Sequence, residues 1–186
     1  MTMLTLKYTL EKQDFITQSL FSLSRSEVNR KAWNRARIRV PVVYVILGIL
    51  MYFATDIKIA LVFIIVAVLW YFYSPVFLRN RYSKHYDKTI EEKLSNRFGK
   101  EVTVAFNNEL LETKDYLGES KLKTSAIETI FEIESHILIR FETGESLIIP
   151  KRGIKVEDLV ISLKDLAKEL KIEYVEEFDW KWEKYS

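Results

Sequence analysis

The chain of 186 residues has no cysteine, two histidines, three prolines and five glycines. Without cysteine there is no disulfide framework, no thiolate nucleophile and no thiolate metal site. The two histidines, His85 and His136, are far apart, which leaves carboxylates as the only other metal ligands. No run of acidic residues has the spacing of a calcium-binding loop. Gly48, Gly99, Gly118, Gly144 and Gly153 are too scattered for a phosphate-cradling loop, and no serine sits in a G-x-S-x-G elbow. His85 lies beside an apolar stripe and His136 opens a strand after a turn, so both read as structural residues. No enzyme is expected, and neither a metal nor a cofactor.

Charge of one sign is also lacking overall, at a net +2, but the balance is split along the chain. Residues 1–39 hold eight Lys/Arg against three Asp/Glu, whereas residues 101–186 hold twelve against nineteen. An acidic C-terminal part is a poor match for nucleic acid, which wants clustered positive charge. It is likewise repelled by an anionic leaflet.

What the chain does have is length in apolar residues. VPVVYVILGILMYFA (40–54) is followed by a polar break at Thr55-Asp56 and then by IKIALVFIIVAVLWYFYSPVF (57–77). A helix needs roughly 20 apolar residues to cross a bilayer core. The second run meets that length without a charge from Ile59 to Phe77. The first reaches it because Arg37 and Arg39 can snorkel to the headgroups. Two runs joined by Thr55–Lys58 predict a helical hairpin that crosses a membrane twice. Tyr44, Tyr52, Trp70, Tyr71 and Tyr73 lie towards the run ends, where aromatic belts form. Any route for ions or protons is absent, since the only ionisable residues are Asp56 and Lys58 at the tip. No small-xxx-small pair surrounds Gly48, which argues against tight dimerisation of the spans.

Lysine and arginine gather on the cytoplasmic side of short loops. Arg25, Arg30, Lys31, Arg35, Arg37 and Arg39 precede the first run; Arg79, Arg81, Lys84 and Lys88 follow the second. Both termini are therefore expected in the cytoplasm. Trp33, Arg35, Arg37, Arg39, Trp70, Arg79 and Arg81 are the candidate membrane-interface residues. The opening MTMLTLKYTLEKQDF lacks a basic start and a continuous apolar core, so no signal peptide is expected.

Around the hairpin the chain alternates types. Leu4, Leu6, Tyr8 and Leu10 alternate with polar residues as in a strand. Phe15, Ile16, Leu20 and Leu23 recur at helical spacing. Ser24-Arg-Ser-Glu27 matches a capping box that would start a helix at Ser24. Pro41 and Pro75 are expected to bend or begin helices, and Tyr82, Tyr86, Ile90, Leu94 and Phe98 mark a separate linker helix ending near Gly99. Six short strands follow between residues 101 and 150, with turns at Asn107-Asn108, Gly118 and Thr143-Gly144. Val156 to Lys171 is an amphipathic helix with Glu157 and Asp158 in its first turn. If the N-terminal strand covers an open sheet edge, it makes a seventh strand.

Seven strands and a C-terminal helix match the pleckstrin-homology-like (PH-like) plan. The stretch ETIFEIESHILIRFETGESLIIPKRGI, together with the opening KYTLEKQDF, a basic segment and two spans, resembles the YcxB-like bacterial membrane proteins. That family usually has an aromatic residue just ahead of the strand near Ile127; here Thr124, Ser125 and Ala126 stand there. The resemblance implies an α+β membrane protein of the bacterial cytoplasmic (inner) membrane, with a two-helix hairpin. It also implies a cytoplasmic PH-like antiparallel β-barrel or bent sheet closed by a C-terminal helix, and it supplies no catalytic site.

The expected segments are 1–39 (strand and basic segment), 40–78 (hairpin), 79–100 (linker helix), 101–172 (PH-like domain) and 173–186 (aromatic acidic tail). In the tail, Phe178, Trp180 and Trp182 alternate with Asp179, Lys181 and Glu183. They are the candidate partner-binding residues, able to augment a partner's sheet or to anchor in it. A last strand on the domain's own sheet, or a headgroup contact, would use the same residues. The function expected is a membrane-anchored, non-enzymatic interaction module facing a protein partner and membrane lipid, with no nucleic acid; a homo-oligomer is compatible with it. The alternative is a toxin-immunity protein of the host membrane. Lipid sensing through Lys121, Lys123, Lys151 and Arg152 is a third expectation.

Overall fold

The structure is a computed structural model and describes residues 4–54, 56–107 and 109–182. Thr55 of the expected hairpin turn, Asn108 of the expected Asn107-Asn108 turn and residues 183–186 of the tail lie outside the described residues. The elements in order are β1 (Leu4–Thr9), α1 (Lys12–Arg25), α2 (Glu27–Ala54), α3 (Ile57–Leu94), β2 (Glu101–Phe106), β3 (Leu110–Asp115) and β4 (Gly118–Lys123). Then come β5 (Ile127–Ile133), β6 (His136–Phe141), β7 (Ser146–Pro150), α4 (Val156–Leu170) and β8 (Glu173–Glu177). They form two compact units: Met1–Gln18 with Asp87–Lys181, and Ser19–Tyr86 with Trp182–Ser186.

In the first unit the strands form two four-stranded sheets, β1-β2-β3-β4 and β7-β6-β5-β8. The N-terminal strand does join the C-terminal part, with Leu4 opposite Phe106 and Thr9 opposite Glu101 in an antiparallel ladder. Neither sheet closes, so of the two forms expected, barrel or bent sheet, the barrel is not formed. Two local features account for this. The turn Thr124–Ala126 separates β4 from β5. An eighth strand, β8, pairs in parallel with β5, from Thr129↔Glu173 to Ile133↔Glu177, and occupies the edge a closing strand would need. Tyr8 of β1 reaches β7 by its side chain instead of a ladder, donating from its hydroxyl to the Ile148 carbonyl at 2.9 Å.

The core follows from periodicity. Leu6 and Tyr8 in β1, and Val102, Val104 and Phe106 in β2, alternate with exposed or half-buried residues, as expected of a sheet with one covered face. In β6, by contrast, Ile137, Leu138 and Ile139 are all buried, the pattern of a strand covered on both faces. Helix α4 packs on β5 and β8 through Leu159, Leu163, Leu166 and Ala167. It ends in a Schellman motif, with Ile172 N–H donating to the Ala167 carbonyl at 3.0 Å and Lys171 in the left-handed region at φ 57°. The Asp87–Leu94 end of α3 belongs to this unit, where Lys12 pairs with Asp87 (2.9 Å) and Glu91 (2.8 Å).

The second unit is built on α2 and α3, both long and apolar enough to cross a membrane. Only 6% and 11% of their most apolar stretches is buried. Phe53, Leu69 and Phe72 are 81%, 62% and 70% exposed. Helix α2 begins at Glu27 rather than Ser24. Ser26 is the cap: its carbonyl accepts the Arg30 N–H at 3.0 Å and its hydroxyl oxygen accepts the Asn29 N–H at 3.4 Å. Ser24 is still in α1, where its hydroxyl donates to the Phe21 carbonyl at 2.6 Å. Asp56 caps α3, accepting the Lys58 N–H on Oδ1 at 3.2 Å.

The second span and the expected linker helix are one element, because α3 runs unbroken through Pro75 to Leu94, as α2 runs through Pro41. A proline forfeits one backbone bond without forcing a stop, and no glycine follows until Gly99. On α3 the small residues Ala60, Ala67 and Ser74, seven apart, are 8%, 3% and 2% exposed and mark its seam. Gly48 of α2 meets that seam. A Cβ there would lie 3.3 Å from the Ala60 carbonyl oxygen and from Phe63 Cβ.

Candidate functional sites

The most connected polar cluster of the first unit is centred on Asp14, which is 1% exposed. Asp14 is the third residue of α1, and its carboxylate turns back to accept the Glu11 N–H at 2.7 Å, as the acidic member of a capping box does. Arg152, in the loop after β7, donates from Nη1 to Oδ1 (2.6 Å) and from Nη2 to Oδ2 (2.5 Å), a two-pronged clamp. It also reaches the Thr9 carbonyl at 3.2 Å. His136 Nε2 lies 2.8 Å from Asp14 Oδ1, and His136 Nδ1 lies 2.7 Å from Ser135 Oγ. Burial pushes the Asp14 carboxyl up, but the hydrogen bonds from Arg152, His136 and the Glu11 backbone outweigh it and hold the group well below the usual carboxylate range. An ionised carboxylate only accepts, so His136 donates to Asp14 from Nε2.

Serine, histidine and aspartate in one chain of hydrogen bonds invite comparison with a nucleophilic triad. The chemistry does not follow. In a triad the carboxylate is free to stabilise an imidazolium; here Arg152 already compensates the charge of Asp14 with two short bonds. The cluster ties the first turn of α1, the start of β6 and the loop after β7, and it is read as structural.

A second cluster joins Glu132 of β5, Lys151 and Tyr174 of β8. Lys151 Nζ donates to Glu132 Oε1 at 2.7 Å, and the Tyr174 hydroxyl donates to Oε2 at 2.6 Å. Burial raises Glu132, but the bonds from Lys151 and Tyr174 prevail and its carboxyl lies below the ordinary value. Burial and the hydrogen bond to Glu132 push the Tyr174 phenol up. Of the four residues expected to sense lipid, Lys121 is paired with Glu112 (2.8 Å), Lys151 with Glu132 and Arg152 with Asp14. Lys151 and Arg152 are thereby tied to buried carboxylates, whereas Lys121 and Lys123 are exposed. Among the described residues no group of three or more His, Asp or Glu could hold a metal ion.

The tail divides. Residues 173–177 are β8, so the strand ends before the aromatic alternation begins. Phe178 is 49% exposed with Lys151 Nζ 5.0 Å from its ring centre, and the Trp180 N–H donates to the Glu177 carbonyl at 3.0 Å in the turn. Trp182 belongs to the second unit: its ring lies 5.9 Å from Trp33, edge to face, and its Nε1 is 3.5 Å from the Arg79 carbonyl.

Of the expected interface residues, Arg35, Arg39 and Arg81 are exposed. Arg37 places its guanidinium 4.4 Å above the Tyr71 ring, and Trp33 also stacks on Tyr82 at 5.2 Å. Trp33, Arg37, Arg79 and Trp182 share one cleft, together with Arg30 and Ser74. Trp70 is apart from it, 6.2 Å from Phe77. The sequence reading passed over Asp14 and Ser74. Asp14 could have been found from its place in the first turn of α1, and Ser74 from its seven-residue spacing to Ala67 and Ala60. No family model, curated protein or solved structure matches this chain.

Proposed function

We propose that this chain is a membrane-anchored, non-enzymatic interaction module. In this reading α2 and α3 cross a bacterial cytoplasmic membrane twice with both termini in the cytoplasm. The two-sheet unit is a PH-like domain, without barrel closure, offered to a protein partner. The YcxB-like resemblance is part of the same proposal. The observation that carries it is the exposure of α2 and α3. A helix that is hydrophobic on nearly every side yet barely buried has to be covered by something, and lipid is the medium that suits it. Charge supports the orientation: basic residues flank the outer ends of both runs, and the tip between them carries one Asp and one Lys. Phe178, exposed beside β8, is the partner contact we favour.

The absence of cysteine makes the test direct. Lys58→Cys at the hairpin tip and Glu142→Cys in the β6–β7 turn each introduce one thiol. In intact cells a membrane-impermeant maleimide should label Lys58→Cys and spare Glu142→Cys until the cells are lysed. The reverse pattern would refute the orientation. A chain that leaves the membrane pellet on alkaline carbonate washing would refute the anchor.

A further inference from the structure

Resting on that reading of α2 and α3, we infer that the cleft between their basic ends is a seat for the phosphate of an anionic phospholipid headgroup. The cleft lies within the second unit and measures about 70 Å³. One water needs about 10–15 Å³ of such space, so a tetrahedral oxyanion fits with room to orient. Arg30, Arg37 and Arg79 line it, and among the described residues no carboxylate does.

Three further observations point to an acceptor-rich, negatively charged ligand. Trp33 Nε1, Arg37 Nε and Ser74 Oγ, all on lining residues, are buried and have no hydrogen-bond partner among the described residues. Folded chains seldom leave such groups unpaired, and a cluster of them without an acceptor is the complement of an oxyanion. The planar guanidinium fork is matched to phosphate oxygens, and stacking on Tyr71 pre-orients that of Arg37. Trp33 and Trp182 add amphipathic rings of the kind that settle at headgroup depth.

Position decides between a lipid and a soluble anion. Arg37 lies three residues before Val40 and Arg79 two after Phe77. At 1.5 Å per residue Arg37 and Arg79 are roughly 3–5 Å beyond the apolar runs, while Ser74 and Pro75 lie inside the second, so the cleft straddles the boundary between the hydrocarbon and the phosphate layer. A binding site there meets lipid phosphate continuously. This goes beyond topology-setting charge, which needs no cavity and no unpaired donors.

The test uses full-length protein in a non-ionic detergent, titrated with dihexanoyl phosphatidylglycerol or with inorganic phosphate. Tryptophan fluorescence is the readout, because Trp33 and Trp182 line the cleft. Saturable binding of the lipid is expected, weakened at least tenfold by Arg37→Gln and by Ser74→Val. Lys84→Gln, which removes a charge near the same helix end but outside the cleft, should change it less than twofold. Native mass spectrometry of the unmodified protein should show one anionic phospholipid retained per chain, and this measurement stands even if a variant fails to fold.

Equal binding by the unmodified protein and both cleft variants would overturn the inference, as would an equal loss in Lys84→Gln or the absence of retained lipid. Inorganic phosphate binding as tightly as the lipid would assign the seat to a free anion and overturn the lipid source. Carbonate washing separates the two failures: a chain that pellets with membranes but binds no lipid loses the seat and keeps the hairpin.

Discussion

Asp14 connects three segments that are remote in sequence, and its charge is what they share. It accepts from Glu11, Arg152 and His136, so removing the carboxylate strands an arginine and a buried imidazole together. Asp14→Ala should destabilise the first unit by about 3 kcal/mol, the lower end for breaking a buried pair because Arg152 is 43% exposed. The measurement is the melting temperature of the full-length protein in detergent. The pH dependence has a definite sign. A carboxyl depressed in the folded state contributes stability that is fully present above its ordinary pKa, about 4, and lost as pH falls towards its lower folded value. Asp14 and Glu132 are both depressed. Melting should therefore be insensitive to them from pH 5 to 8 and fall below about pH 4, and the double variant Asp14→Asn, Glu132→Gln should flatten that fall.

At the scale of elements, the helix pair depends on small residues more than on large ones. Gly48 lets α2 approach the backbone of α3 at Ala60, and Ala67 and Ser74 extend the same seam. Gly48→Leu should cost about 1–3 kcal/mol by overpacking, seen as a lower melting temperature of the detergent-solubilised chain. Gly99→Ala, where nothing lies within 4 Å, should be felt only through its positive φ. Most elements were legible because a two-residue or near-four-residue apolar period survives tertiary contact; β1 to β7 and α4 stand where their patterns placed them. The exceptions have physical causes. Ser24 was expected to cap the basic helix, but α1 runs through it to Arg25, and the cap falls two residues later at Ser26. Pro75 was expected to bend the exit of the span ahead of a separate linker helix, and α3 instead continues through it to Leu94, because a proline removes one backbone bond and the turns on either side keep theirs. The strand β8 is short and acidic, EYVEE, and gains its place from β5 rather than from a pattern of its own.

At the scale of the molecule, the first unit is assembled from two stretches of chain, Met1–Gln18 and Asp87–Lys181, with α2 and most of α3 lying between them in sequence. The pairing of β1 with β2 over Leu4–Thr9 covers what would otherwise be a free edge. Deleting residues 1–10 should leave β2 exposed, and size-exclusion chromatography should then show aggregation at concentrations where the full chain is monodisperse. By itself the sequence determined the two long apolar helices, the strands of the meander and the amphipathic α4, because local periodicity and the requirement to cover apolar surface act over short stretches. Only the tertiary structure decided that the sheets stay open, that Asp14, His136 and Arg152 meet, and that Trp33, Arg37, Ser74 and Trp182 surround one cleft. Those outcomes depend on contacts between residues up to about 150 positions apart, and no local pattern encodes which distant partner a buried charge or an open edge will find.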